Sequence, residues 1–330
     1  MSRAAILSFS DGGAETAARI AAALMDWEAR QYRPRGNLKP LVAALFPDVD
    51  ALVFVGACGI AVRAVASHLA GKTVDPAVLV VDERGEYVIS LLSGHIGGAN
   101  DLARRVAAAI GATPVITTAT DVSRRFSADA WAARRGLWIE DMAAAKRFSA
   151  EILKRDLPVH SDFPIEGALP AGLVAGETGD CGLAISCRAV RPFDVTLLLV
   201  PRILHVGIGC RRGTSADHIG AAVEAALAGL CPMAVASAAS IDVKRDEAGL
   251  IDWASRAGLP ISFYTADELN AVPGEFDGSE FVRETVGTDS VCERAAMREA
   301  GDGARLVVRK AILDGVTVAV ACEKWSVCLE

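Results

Sequence analysis

Residues 90–101 read SLLSGHIGGAND and put a hydroxyl, an imidazole and three glycines into one turn. Gly94, Gly97 and Gly98 let the chain bend sharply and expose amides at the start of a helix, where positive partial charge collects. Such a nest suits a carboxylate or a developing oxyanion. His95 lies within it, and imidazole is the side chain whose ordinary pKa fits proton transfer near neutrality. A plainer reading uses the same residues: Ser93 or Asn100 caps the helix and His95 packs locally.

Three other strand ends share this small, polar or glycine-rich character: GACGIAVR (56–63), which opens with Gly56, TTATD (117–121) and GIGCRRGTS (207–215). Ligands of open α/β sheets settle at carboxyl ends of strands, so all four are candidate ligand contacts. Thr117 and Thr118 can bond a ligand carboxylate, while Asp121 either joins them or caps the next helix. Beyond Gly209, Arg211 and Arg212 form either a bidentate carboxylate clamp or a solvated loop. Gly207 and Gly209 match the start of a dinucleotide fingerprint, but Arg212 stands where the third glycine belongs, so a nicotinamide-dependent oxidoreductase has little support. Cys210 is a thiolate candidate or a small buried thiol. Asp242 and Lys244, in SIDVK, make either a substrate contact or a salt bridge. Glu284 and Glu293 read as solvated helix positions, and His68, His160 and His205 as structural.

The segments that must hold these turns alternate. RAAILSF, ALVFV, AVLVV, YVISLL and TPVITT are strand-like, and the runs between several of them repeat apolar residues at helical spacing, as Ala17, Ile20, Ala21 and Leu24 do. DERGE reads as a hairpin turn with Gly85 at the position needing positive φ, which makes a mainly parallel sheet mixed. After residue 121 the rhythm weakens into two helical stretches, a Pro/Gly-rich passage and two strands, LAISC and VTLLL. It restarts at ILHVGI and ends in the hairpin RLVVRKAILDGVTVAVA (305–321). The expected fold is α/β: two α/β domains with mainly parallel mixed sheets, at 1–121 and 202–330, joined by a small connecting domain at 122–201.

Bulk properties exclude several partners. With 34 basic and 41 acidic residues the net charge is −7, and no basic run could track phosphates, so nucleic acid is not expected. The longest apolar runs fall far short of a membrane span. Eight cysteines are scattered without a CxxC pair or zinc-site spacing, and MSRAAILSFS enters a strand directly, which fits free thiols in a reducing cytoplasm.

FVGACGIAVR together with DPAVLVVDERGEYVISLLSGHIGGANDLARRVAAAIGATPVITTATD resembles the N-terminal domain of the CbiG-type cobalamin biosynthesis proteins, the cobalt-precorrin-5A hydrolase family. HVGIGCRRGTSADHI, ASIDVKRDEAGL, ETVGTDSVCERAA and VVRKAILDGVTVAVA resemble that family's C-terminal domain. The resemblance implies a hydrolase acting on a carbon–carbon bond, which opens the δ-lactone of cobalt-precorrin-5A with water and releases acetaldehyde. It also implies a small-molecule corrinoid substrate carrying its own cobalt, no protein-held metal or other cofactor, and hand-over from other cobalamin biosynthesis enzymes; the oligomeric state stays open. On this reading His95 activates water, Ser93 and the amides around Gly97 and Gly98 hold the oxyanion, and Arg211, Arg212, Lys244 and either Arg63 or Lys310 are the candidates to meet the corrinoid's carboxylates. The C-terminal block also resembles a stand-alone protein of the aerobic corrin pathway, which keeps a non-catalytic carrier of corrinoid intermediates as the alternative.

Overall fold

The computed structural model describes residues 1–71 and 74–329. The chain divides into two compact units, residues 1–135 with 149–156 and residues 136–148 with 157–330. The first holds a six-stranded sheet, order β2-β1-β3-β4-β5-β6, built from β1 (Arg3–Ser8), β2 (Glu28–Tyr32), β3 (Ala51–Val55), β4 (Ala77–Val81), β5 (Tyr87–Leu92) and β6 (Thr113–Val115). Its helices are α1 (Asp11–Ala23), α2 (Lys39–Leu45), α3 (Cys58–Val65), α4 (Ala99–Ile110), α5 (Ala119–Val122) and α6 (Ala128–Arg135).

Strands β3 and β4 are buried along their whole length, as expected of parallel strands covered on both faces. Alternate residues feed two cores. Ile6, Val53, Val55 and Leu79 pack with Ile20 of α1 and Val106 of α4, whereas Leu7, Leu52, Phe54 and Val80 pack with Val42 of α2 and Val65 of α3. Each fully buried aliphatic side chain of this kind contributes about 1.5–3 kcal/mol.

One pairing reverses the sheet's polarity. β4 and β5 are antiparallel through the DERGE turn, where Gly85 has φ +70°, and β6 then runs parallel to β5. The carboxyl ends of β5 and β6 therefore lie at the edge where β3 and β4 begin. Gly56, a candidate ligand contact, lies at the edge opposite the SGHIGG turn, past the end of β3, where its amide donates to Val81 O. The α3 helix that carries Arg63 starts from that same far edge.

The second unit contains β7 (Trp138–Ile139), the start of α7 (Met142–Ile152), β8 (Leu157–Ser161), β9 (Ile165–Glu166), β10 (Leu173–Ala175), β11 (Cys181–Ile185) and β12 (Val195–Val200). Five of these strands form a sheet in the order β10-β8-β11-β12-β7, so LAISC and VTLLL sit inside a larger sheet than the two strands expected. The remaining elements are β13 (Leu204–Gly209), α8 (Ala216–Ala226), β14 (Val235–Ile241), α9 (Ala248–Arg256), β15 (Ile261–Tyr264), α10 (Ala266–Asn270), α11 (Glu280–Val286), α12 (Val291–Ala300), β16 (Arg305–Leu313), β17 (Val316–Cys322) and β18 (Val327–Cys328). They give a sheet ordered β15-β14-β13-β17-β16, with the expected hairpin at its β16 edge. His205 is a satisfied core histidine, with Nδ1 2.8 Å from Ser237 Oγ and Nε2 2.7 Å from Glu323 Oε1. Among the described residues no helix is long and apolar enough to cross a membrane.

Candidate active site

The turn between β5 and α4 is held by its own backbone. The amides of Gly98, Ala99 and Asn100 donate to the carbonyls of His95, Ser93 and Gly94 at 2.9, 3.1 and 2.9 Å. Two glycines are obligatory here: Gly98 sits at φ +76°, and a Cβ on Gly97 would lie 2.4 Å from Ser93 Cβ. Ser93 itself takes φ +57°, a left-handed conformation uncommon outside glycine, and its Oγ donates to Asp75 O at 3.0 Å. That hydroxyl ties the turn to the chain entering β4. The expected oxyanion donors, Ser93 and the Gly98 amide, are thus engaged within the protein.

The imidazole of His95 lies between two acids. Nε2 is 3.0 Å from Asp121 Oδ2 and 3.1 Å from Thr120 Oγ1, and Nδ1 is 3.4 Å from Asp129 Oδ1. The Asp129 carboxylate, with Asp121 helping, raises the His95 pKa above its ordinary 6.5 despite the opposing effect of burial. Burial pushes Asp129 upward, but the His95 contact overrides it and holds the acid down to about 2, with Ser127 Oγ and the Ala130 amide also donating. Asp121 is likewise lowered against burial, by Thr118, Arg104 and His95. Placed between two carboxylates, the ring favours its protonated form more strongly than a free imidazole does.

A second layer fixes those acids. Thr118 Oγ1 donates to Asp121 Oδ2 at 2.6 Å, and Asn100 Nδ2 donates to the same oxygen at 2.9 Å and to Thr118 Oγ1 at 2.8 Å. Arg104 of α4 pairs with the other Asp121 oxygen. SGHIGGAN and TTATD therefore meet through side chains, whereas Thr117 is exposed and does not line the cleft beside His95. Asp129 and Arg104 were not singled out in the sequence. His95 opens onto a cleft of about 190 Å³, whose walls include Gly94, Arg104, Arg125, Phe126 and Arg134.

In the second unit the end of β13 borders a larger cavity of about 550 Å³, mostly apolar, walled by Ile241, Val243, Val282 and Val286. Gly209, Arg211, Arg212 and Lys244 all line it, as does Lys310. Arg212 reaches Asp246 at 3.2 Å and Lys244 reaches Glu247 at 3.3 Å, whereas among the described residues Arg211 has no carboxylate partner and its guanidinium packs by Gly315. Lys244 thus makes a salt bridge with Glu247 and not with Asp242, which lies in the short turn after β14 without lining the cavity. Burial raises the Cys210 thiol, so it stays protonated near neutrality instead of forming a thiolate.

Glu293 corrects a further expectation. It is fully buried, not solvated, and accepts from the amides of Asp277 at 2.6 Å and Lys310 at 3.1 Å.

Comparison with known proteins gives a consistent result. Residues 40–121 match the family model described as cobalamin synthesis G N-terminal, and residues 204–321 the one described as cobalamin synthesis G C-terminus. The cobalt-precorrin-5A hydrolase of Priestia megaterium is 34% identical, over 87% of this chain and 82% of that protein. Its namesake in Salmonella typhimurium is 35% identical, over 88% of this chain and 90% of that protein. Protein CobE of a Sinorhizobium species is 35% identical over 121 residues, which is 36% of this chain and 79% of that protein.

Proposed function

The chain belongs to the cobalamin synthesis G family, and on that premise we propose that it acts as a cobalt-precorrin-5A hydrolase, opening the substrate's δ-lactone with water and releasing acetaldehyde to leave cobalt-precorrin-5B. The observation that carries this reading is the 34–35% identity to relatives of that name across 87–88% of the chain. The cobalt travels with the substrate.

The His95 site supplies what the two bond cleavages need. Water adds to the lactone carbonyl, the ester C–O bond breaks, and the departing alkoxide takes a proton. Loss of acetaldehyde then requires that the new hydroxyl give its proton up while the carbon–carbon bond breaks and its electron pair passes into the conjugated macrocycle. One group that first donates and then accepts a proton serves both steps. The raised pKa favours the protonated ring, so on this reading His95 begins as the donor, which reverses the order expected from its ordinary pKa. A substrate oxygen reaches the ring by displacing one partner, and the 3.4 Å approach of Nδ1 to Asp129 is the longer of its two carboxylate contacts. Ser93 holds the turn, and the imidazolium's charge meets the developing oxyanion. The 190 Å³ cleft is below the usual size of a small-molecule pocket, about 300–1,000 Å³, and admits the lactone edge of the ring with its neighbouring side chains.

Purified protein given cobalt-precorrin-5A should release one acetaldehyde per substrate, measured by a coupled alcohol dehydrogenase. Tight binding of the substrate without acetaldehyde would leave the carrier reading in its place. The rate should hold at pH values below the raised His95 pKa and fall as pH rises through it, because the donor form is then lost. A rate that instead climbs across that range would make neutral His95 the starting form.

A further inference from the structure

The residues Ser290-Val-Cys-Glu293 at the start of α12 spell a capping box, in which the serine hydroxyl accepts from the third helical amide and the glutamate returns to the serine amide. Neither half is made. Ser290 is the N-cap residue but has no side-chain capping bond, and its Oγ, on a residue only 2% exposed, has no hydrogen-bond partner among the described residues. Glu293 is turned to the amides of Asp277 and Lys310. A buried hydroxyl without a partner costs about 1–3 kcal/mol, so its persistence calls for an occupant that satisfies it.

The surroundings specify that occupant. Ser290, Val291 and Cys292 line the 550 Å³ cavity, so the first turn of a ten-residue helix, with its partial positive charge, faces the space that Arg211, Lys244 and Lys310 also border. The acid at this end of the cavity, Asp289, is neutralised by Arg294 at 2.8 Å and Arg283 at 3.0 Å. Lys310 is fixed through its own amide by Glu293, and its Nζ donates to Asp277 O at 3.3 Å. Ile241, Val243, Val282, Val286 and Val291 give the rest of the wall an aliphatic face, with Cys210, Arg212, Thr285 and Thr317 beside it.

We propose that the N-terminus of α12, with Ser290 Oγ as donor and Arg211 and Lys310 as flanking cations, is a binding subsite for one peripheral carboxylate of the corrinoid, whose apolar ring face lies on Ile241, Val243 and Val286. This rests on the hydrolase reading only for the identity of the macrocycle; the carboxylate chemistry stands on the subsite itself.

The test uses the full chain and two stable corrinoids, dicyanocobyrinic acid and its heptamethyl ester, with wild type and Ser290→Ala. The acid should bind wild type roughly tenfold more tightly than it binds the variant, the loss expected of one hydrogen bond to a charged group. The ester should not distinguish the two proteins. The melting temperature of Ser290→Ala should not fall, whereas removing a true cap lowers stability. With cobalt-precorrin-5A the variant should raise KM and leave kcat nearly unchanged. Equal affinity of both proteins for the acid, or a lowered melting temperature with no change in affinity, overturns the proposal. If wild type turns over but the variant's KM is unchanged, the subsite fails and the hydrolase reading survives. If wild type releases no acetaldehyde yet acid binding still depends on Ser290, the reverse holds.

Discussion

His95→Gln is expected to lower acetaldehyde release by roughly 10²- to 10⁴-fold, the span usual for loss of a positioned proton-transfer group. The variant also removes the imidazole from between Asp121 and Asp129, and Asp129 is only 8% exposed. A melting curve must therefore accompany the rate, because an unpaired buried carboxylate destabilises the fold or takes up a proton. Linkage gives the pH dependence of that pair. The stability due to the raised His95 pKa is fully present below the ordinary 6.5 and is lost as pH rises through the folded value. The part due to Asp129 is present above its ordinary 3.8 and lost as pH falls toward about 2. Asp129→Asn keeps the ring and its Asp121 contact, so it should retain more activity than His95→Gln and shift the alkaline limb of the rate profile downward. Near wild-type turnover by a folded His95→Gln protein would remove the imidazole from the chemistry.

Gly207→Ala should be the most damaging single methyl group in the second unit. A Cβ there would lie 1.8 Å from Cys292 O and 2.6 Å from Ala296 N, so α12 crosses β13 in backbone contact. Cys292, Ala295 and Ala296 are 0–1% exposed, which leaves the helix nowhere to move. The cost is expected at about 3 kcal/mol or more, the upper end of overpacking, and a fall in melting temperature of roughly 6–12 °C for a unit of this size. Gly220→Ala is the control. It lies inside α8, its new Cβ would sit 3.4 Å from Trp253 Cδ1, and it should be neutral or stabilising by about 0.5–1 kcal/mol. If Gly207→Ala melts with wild type, the close packing of α12 on β13 is wrong, and the placing of Ser290 and Glu293 with it.

The same glycine shows what a sequence does and does not disclose. Gly207 and Gly209 look like a phosphate loop, and the packing of α12 on Gly207 is invisible because Cys292 is 85 positions away. Elements with strong periodicity were legible: the strands feeding both cores of the first sheet, the DERGE hairpin and the pairing of β16 with β17. β2 was not, because EARQY is a polar edge strand with no buried residue. β8 hides behind Pro158 and β10 is three residues long. SGHIGG and TTATD could be singled out from local turn chemistry, and they do meet, through Asn100 and Asp121. Asp129 could not, since a helix reading SADAWAARR gives no sign that its acid will face an imidazole from another element; the hydroxyl two residues before it, on Ser127, is the one local trace. Glu293 was missed for the converse reason, a capping-box pattern whose partners were drawn elsewhere.

The reversal at β4–β5 has a practical meaning. Residues 82–86 form a tip at the edge of the sheet remote from His95, and Arg84 there has a side chain 87% exposed. A fluorophore, affinity handle or surface tether grafted at that tip would report on the protein without crowding the cleft beside His95.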